Sequence, residues 1–366
     1  MVCYINNFCS AFPLSYILTL MTAHLSSKVG SRNNTIDFVR FCAILFVIIL
    51  HVDFESDNYL SGIAHMVSRW AVPFFFIISG YFSGGRDLRI TSKKRRDYLI
   101  RLAGITLIGD IIYFPYMIFN DYHHLDFQSL IVEFITSGTS FHLWFLHTLL
   151  FGQFIISLPP KNNLAVMMAV ALGILTPIFN LYPNLYFNNI SIGIFLSLSQ
   201  CIPFLALGLL LRKLSITRNV CWIIILLGAI LEFFEFMFNV YYGDMNANIQ
   251  NQLFFGTALL SFGICALLVT SSTSNKVGKP KIKSLDGIWH KFYSLCSKFG
   301  KEYVLGIYLI HIYIRILINL AARKLTIYSN FYFKIISPFL ILMFSVIFLM
   351  ALNSIYNKMT QKQMTN

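Results

Sequence analysis

The sequence predicts an all-α, polytopic transmembrane helix bundle, and three observations lead to that prediction. Of the 366 residues, 57% are hydrophobic and only 12% are charged, and the mean hydropathy is +0.68. A soluble domain of this length would carry about twice as many charged residues. The apolar residues form continuous runs that do not alternate with polar ones, which favours helices over a β-barrel. An ordinary cytosolic enzyme, a disordered chain and a collagen-like fibre are therefore excluded.

Ten apolar runs are long enough to cross a bilayer, which takes about 20 residues for each helical span. They cover residues 36–52, 63–82, 98–119, 141–158, 164–180, 190–211, 219–240, 253–271, 303–322 and 333–352. We expect residues 35–355 to form one membrane domain, preceded by an N-terminal segment at 1–34 and followed by a cytoplasmic tail at 356–366.

The distribution of charge between the loops orients these spans. Lys and Arg collect before the first span, in the loops after the second, fourth, sixth and eighth spans, and in the tail. The intervening loops carry mainly acidic residues, except that Arg69, Arg323 and Lys324 oppose the trend. Because short loops rich in Lys and Arg stay in the cytoplasm, the pattern predicts about ten spans with both termini cytoplasmic.

Charge and cysteine usage exclude further classes of protein. The net charge of +13 would suit nucleic-acid binding, but the basic residues lie in the predicted cytoplasmic loops, as is usual in membrane proteins. We therefore expect no nucleic-acid partner. The seven cysteines are scattered and show no Cys-x-x-Cys or Cys/His spacing, so the sequence predicts neither a disulfide framework nor a metal site.

The first span carries three ionisable residues, Asp37, Arg40 and His51. Arg40 and His51 are eleven residues apart, so at about 100° per residue they share one helix face and lie about 16 Å apart along the axis. Asp37 precedes Arg40 by one turn and can pair with it. The alternative to a functional site is that the Asp–Arg pair lies at one membrane interface and the histidine at the other. The shared face, and the suitability of histidine for proton exchange at neutral pH, favour a functional site.

Four segments resemble the membrane acyltransferase-3 family. Residues 37–51 resemble its opening helix, in which ten residues separate an Arg from a His. Residues 72–82, with Pro-Phe-Phe-Phe and Ser-Gly, residues 141–146, with His-Leu-Trp-Phe, and residues 306–311, with Tyr-Leu-Ile-His, resemble three later segments. Each segment alone is a weak signal, but the four follow the family's order along the chain.

The resemblance implies a ten-helix protein of the bacterial inner membrane that moves an acyl group, usually acetyl, from cytoplasmic acyl-CoA to a hydroxyl. The acceptor would be a glycan or lipid-linked saccharide of the O-antigen or capsule type. Acetyl-CoA would be a donor substrate and not a bound cofactor, and membrane lipid would surround the chain. His51 suits the role of general base or transient acyl carrier. Arg40 is suited to bind a phosphate or carbonyl group of the acyl-CoA donor, or to align the helix through its pairing with Asp37.

The basic stretch before the third span departs from the family's pattern. The family often has two arginines three residues apart there, but Tyr98 stands where the first would precede Arg101. Basic charge is still present, and we expect Arg95, Arg96 and Arg101 to receive the phosphates of CoA.

Two polar stripes in later spans are further candidates for binding substrate. Tyr308, His311 and Arg315 lie one turn apart on the ninth span, and Glu232 and Glu235 lie one turn apart on the seventh. Each stripe is either a polar seam that faces the bundle or a substrate or proton site.

Smaller features complete the set of candidates. His142 and Trp144 begin the fourth span and are candidates for substrate contact, although Trp144 also suits packing. Ser79 and Gly80 favour close helix packing over a nucleophile.

A transporter, flippase or polysaccharide polymerase is the rival class, because such proteins also combine many spans with buried charges. Transporters often carry internal repeats, and no repeat is visible in this sequence.

Overall fold

The computed structural model describes residues 33–52, 59–84, 88–89, 91–120, 127–158, 201–242, 255–274 and 287–365. Within these ranges every regular element is a helix. The α-helices are α1 (Asn34–Leu50), α2 (Tyr59–Ser68), α3 (Ala71–Ser83), α4 (Lys93–Asn120), α5 (Phe127–Ser137), α6 (Trp144–Ile155), α7 (Cys201–Leu211), α8 (Arg218–Tyr242), α9 (Phe255–Ser274), α10 (Gly287–Glu302), α11 (Val304–Lys324) and α12 (Phe331–Thr365). The prediction of an all-α fold is confirmed.

The chain divides into two compact units. A terminal unit comprises residues 1–53 and 282–366, and a central unit comprises residues 54–281. The terminal unit thus contains α1 and the last three helices, α10 to α12.

In the terminal unit, α1 packs tightly against α10. The side chain of Asn33 caps α1 by accepting a hydrogen bond from the Thr35 amide at 2.9 Å. Gly300 of α10 lies so close to the main-chain carbonyl of Asp37 that a side chain would have no room there. Ser297 donates to the carbonyl of Asn34 at 2.9 Å. A small residue on α10 therefore sets the separation of the two helices.

In the central unit, α3 and α7 come into backbone contact through two glycines. A side chain at Gly80 would overlap the carbonyl of Leu205, and one at Gly208 would overlap the carbonyl of Ile77. Small residues allow such an approach between helices that cross a membrane. The contact supports the packing interpretation of Gly80.

Five helical segments of the described chain are long and apolar enough to cross a membrane, judged by length and composition. They are residues 61–83, 93–118, 218–238, 304–324 and 331–358, and shorter apolar helices lie at 141–155, 201–211 and 255–271. These segments fit a multi-pass membrane protein. The count of about ten spans and the cytoplasmic position of both termini stay predictions, and the expected span at 164–180 lies outside the described residues.

The structure differs from the expected elements in three places. The second expected span contains a break at Arg69 and Trp70, which separates α2 from α3. Two segments that we expected to be loops form helices, α5 and α10, each shorter than the length needed for a span. Finally, α12 continues as a helix through most of the expected tail.

Candidate active site

Two histidines from different helices lie side by side in the terminal unit. His51 is the C-terminal cap of α1, and His311 lies in the first half of α11, where it is fully buried. Their ring centroids are 5.3 Å apart and their ring planes are inclined by 31°. The structure therefore brings together the histidine of the Arg-x10-His helix and the histidine of the later stripe, which the sequence predicted separately.

Arg315 joins these two helices at the same place. It follows His311 by one turn and donates a hydrogen bond from Nη1 to the main-chain carbonyl oxygen of His51. The last carbonyl groups of a helix have no partner within it, so a guanidinium at this point satisfies one of them. Arg315 is thus a positioning residue for the end of α1.

The main chain of α11 fixes the proton of His311. Its Nδ1 atom lies 2.7 Å from the carbonyl oxygen of Tyr308 and 3.2 Å from that of Ile307. Because a carbonyl oxygen only accepts, Nδ1 carries a proton, and when the ring is neutral its Nε2 atom has the lone pair. The Tyr308 ring centroid lies 6.0 Å from that of His311. The polar stripe on α11 therefore lies at the same site as His51.

Asp37 and Arg40 lie toward the opposite end of α1. The Arg40 Nη1 atom is 3.4 Å from Asp37 Oδ1, so the predicted pairing of these residues is confirmed. The Asp37 side chain is buried, whereas that of Arg40 is 26% exposed. At about 1.5 Å per residue, Arg40 lies about 16 Å from His51 along the helix axis.

In the described part of the terminal unit, cavities lie toward both ends of α1. A cavity of about 360 Å³ lies between the start of α1 and α10, and Asp37 is among its lining residues. A cavity of about 10 Å³ lies at the other end, lined by Val52, Arg315, Asn319 and Lys334, among others. The smaller cavity has room for one water-sized group, such as a hydroxyl.

The three arginines proposed to bind CoA phosphates differ in environment. Arg95 is buried in the central unit, and its guanidinium donates to Ser157 Oγ at 2.6 Å and to Gln153 Oε1 at 2.9 Å. Arg96 and Arg101 are exposed on α4. Arg95 therefore joins α4 to the end of α6 and does not form one surface patch with the other two.

Glu232 and Glu235 both contact the start of α9. Glu235 accepts hydrogen bonds from the amides of Phe255 and Gly256 at 3.0 and 2.9 Å, and Glu232 accepts one from the Thr257 hydroxyl at 2.7 Å. A carboxylate at the start of a helix satisfies amides that have no partner in the first turn. These contacts favour the polar-seam interpretation of the stripe on α8.

Arg69, which opposed the trend of charge between the loops, is also part of this seam. Its side chain is buried in the central unit and interacts electrostatically with Glu232 and Glu235. A buried arginine with two acidic neighbours explains why a cation interrupts an apolar span.

His142 and Trp144 pack among aromatic side chains of the central unit. His142 is buried, and its Nδ1 lies 3.0 Å from Ser140 Oγ. The centroid of its ring lies 4.5 Å from that of Tyr113. Trp144 begins α6 and lies edge-on to Phe76 with a centroid distance of 6.3 Å. Aromatic packing therefore orients both residues.

Sequence reasoning did not connect Asp110 with His147, and the two residues form a polar cluster in the central unit. Asp110 Oδ1 accepts from the Thr139 amide at 3.1 Å, and the Asp110 carboxylate lies 3.3 Å from His147 Nε2. Gly138 has a positive φ of 73°, and a side chain there would overlap both Asp110 and His147. The signal was available, because Asp110 and His147 are both ionisable residues in expected spans.

Comparison with known proteins shows the family to which the sequence is similar. The family model for the acyltransferase domain of the acyltransferase-3 family matches residues 33–356, nearly the whole chain. No solved structure matches the chain.

Two curated proteins of Enterococcus faecalis, both called amino-acid racemase, match part of the sequence. One is 33% identical over 136 residues, which are 35% of this chain and 19% of that protein. The other is 28% identical over 124 residues, which are 32% of this chain and 17% of that protein. The alignments thus span less than a fifth of these relatives, whose name describes whole proteins. With the family match over nearly its whole length, the chain belongs to the acyltransferase-3 family of membrane acyltransferases.

Proposed function

We propose that this protein is an O-acetyltransferase that moves acetyl from acetyl-CoA to a hydroxyl of a cell-surface polysaccharide or lipid-linked saccharide in the bacterial inner membrane. The observation that carries the proposal is the pairing of His51 with His311 at one end of α1, with Arg315 bound to the carbonyl of His51. A histidine held by other groups is a usual arrangement for a general base.

The transfer needs a base for the acceptor hydroxyl, and His51 is well placed for that role. His51 takes the hydroxyl proton as the acceptor oxygen bonds to the acyl carbon. The bond between that carbon and the sulfur of CoA breaks, and the same proton passes to the departing thiolate. The products are an acetyl ester and CoA thiol, so atoms and charge balance without a further reactant.

His311 and Arg315 support this chemistry in different ways. The proton of His311 is held on Nδ1 by the α11 main chain, so Nε2 can accept a hydrogen bond from the acceptor or from the imidazolium that forms on His51. Arg315 positions the backbone at His51. A transient acyl group on His51 is the alternative route, and it uses the same residues.

The two ends of α1 suit the two substrates. The distribution of basic residues predicts that the Asp37–Arg40 end faces the cytoplasm, where acyl-CoA is made. The His51 end would then lie toward the outer face, where the small cavity beside Arg315 has room for a hydroxyl group. The pantetheine arm of CoA is a long flexible chain that suits the separation of Arg40 from His51.

The test is acetyl transfer by the purified full-length protein reconstituted in lipid vesicles. We expect release of CoA thiol from acetyl-CoA only when acceptor glycan is present, and a matching gain of acetyl mass on the glycan. His51→Gln should lower the rate of both signals by a factor of about 10² or more at equal protein level. Movement of glycan across vesicles without acetylation, or elongation of the glycan, would instead assign the protein to the transporter or polymerase class.

A further inference from the structure

We propose that the cavity between α1 and α10 binds the nucleotide end of acyl-CoA, which carries its phosphates. The inference rests on the proposed function, since it supposes an acyl-CoA donor, and it gives that donor a place in the fold. The site lies at the Asp37–Arg40 end of the catalytic helix and not on the basic stretch of α4.

The size of the cavity suits a nucleotide. Its volume of about 360 Å³ falls within the range of about 300–1,000 Å³ that is usual for small-molecule sites. Its walls carry ammonium, hydroxyl and imidazole groups, which come from Lys298, Lys301, Ser294, Tyr293 and His290. Phosphate oxygens accept hydrogen bonds from such donors, and a purine ring can stack on tyrosine or histidine.

The walls of the cavity are held in place by contacts between the two helices. The hydroxyl groups of Thr35 and Tyr293 lie 3.1 Å apart, and the Tyr293 ring packs against Phe38 with a centroid distance of 5.1 Å. Ser297 binds the main chain of α1 at Asn34. The cavity is therefore a formed feature of the terminal unit before any ligand enters.

Charge around the cavity favours an anionic ligand. The lining includes two lysines of α10, Lys298 and Lys301. In the described part of the chain, neither Lys298 nor Lys301 forms an ion pair. Two carboxylates, Asp37 and Glu302, also line the cavity, but Asp37 is paired with Arg40. The two lysines therefore outnumber the remaining carboxylate, Glu302, and the lining keeps a net positive charge that suits phosphate.

The position of the cavity agrees with the path that an acyl group must follow. The nucleotide would sit beside the first turns of α1, and the pantetheine arm would run past Arg40 toward His51. By contrast, the Arg95 guanidinium is committed to Gln153 and Ser157 in the central unit.

The deciding experiment compares two donors, acetyl-CoA and acetyl-pantetheine, which lacks the nucleotide. In the full-length protein, Lys298→Gln/Lys301→Gln should raise the KM for acetyl-CoA about tenfold, because two solvent-exposed contacts to phosphate, each contributing about threefold, are lost. The KM for acetyl-pantetheine should not change. The matched control is Lys291→Gln/Lys358→Gln, which removes the same charge outside the cavity lining and should leave both constants unchanged.

Each result has a distinct meaning. If wild type transfers acetyl from acetyl-CoA but the cavity double variant keeps its KM, the inference is wrong while the proposed function stands. If wild type uses neither donor, the proposed function itself fails. If the variant changes only the dependence of activity on anionic lipid, Lys298 and Lys301 serve lipid headgroups and the inference is overturned.

A second measurement needs no variant. Lysines of the wild-type protein are labelled with an amine-reactive reagent, with and without adenosine 3′,5′-bisphosphate, and read by mass spectrometry. We expect protection of Lys298 and Lys301 and none of Lys291. If saturating nucleotide leaves the labelling of Lys298 and Lys301 unchanged, as it should that of Lys291, the inference is overturned.

Discussion

The guanidinium of Arg315 binds the main-chain carbonyl of His51, although the two residues are 264 positions apart in the sequence. The contact joins the end of the first helix to the middle of the eleventh. It makes the position of the proposed base depend on a residue that does not itself need to touch substrate.

We predict that His51→Gln lowers kcat for acetyl transfer by a factor of about 10² to 10⁴, because glutamine keeps hydrogen bonding but does not exchange protons. His51→Ala should be about as inactive. Product acetylation at matched membrane levels of protein measures the effect. Activity near the wild-type level in His51→Gln would remove His51 as base or carrier and direct attention to His311.

Arg315→Ala should lower kcat while Arg315→Lys recovers part of the loss, since lysine can still donate to the His51 carbonyl but lacks the planar fork. The KM for donor should change little in either variant, because Arg315 acts through His51. The measurement is the separate determination of kcat and KM for both variants. A rise in KM for acetyl-CoA without a fall in kcat would contradict a positioning role.

Gly300→Ala should destabilise the terminal unit, because a methyl group at this position overlaps the Asp37 carbonyl. Overpacking of this kind costs about 1–3 kcal/mol. Gly287→Ala is the matched control, as it lies on the same helix with no neighbouring atom within 4 Å. Thermal unfolding in detergent measures both, and an equal Tm for the two variants would argue against tight packing of α10 on α1.

Arg95→Gln should reduce stability by about 1–3 kcal/mol, because Gln153 and Ser157 lose a charged partner in a buried setting. Arg96→Gln, one residue away and exposed, should change stability by less than about 0.5 kcal/mol. Thermal unfolding of the two variants separates these cases. Equal stability combined with weaker acetyl-CoA binding in Arg95→Gln would return Arg95 to the donor site.

The topology prediction is tested by reporter fusions at Asn246 and Gly278. These positions come before and after α9 along the chain, so a helix that crosses the bilayer places them on opposite sides. The distribution of Lys and Arg predicts that Asn246 is external and Gly278 cytoplasmic. A cytoplasmic signal from both fusions would rule out the ten-span arrangement.

The sequence predicted the long apolar helices because one continuous run of hydrophobic residues is sufficient to identify them. Helix α8 was expected at 219–240 and extends over Arg218–Tyr242, and α11 was expected at 303–322 and extends over Val304–Lys324. Helix α10 was missed since its 16 residues mix lysines with aromatics and lie in a basic segment. Hydropathy alone does not distinguish such an amphipathic helix from a loop.

The candidate site was predicted in pieces. Helical periodicity identified Asp37, Arg40 and His51 on one helix, and Tyr308, His311 and Arg315 on another. Periodicity carries no information on which helices are neighbours, so the contact of His51 with His311 emerged only from the fold. The burial of Arg95 was likewise hidden, because it depends on the position of Gln153 on a different helix.

The unbroken course of α1 imposes a condition on the number of residues between its two functional groups. Adding one residue between Arg40 and His51 would turn them apart by about 100° and lengthen their separation by about 1.5 Å. His51 would then either lose its contact with His311 or no longer share a helix face with Arg40. The interval of ten residues therefore fixes both the rotation and the distance between Arg40 and His51. Insertions or deletions within it should be tolerated only when they add or remove close to a whole number of helical turns.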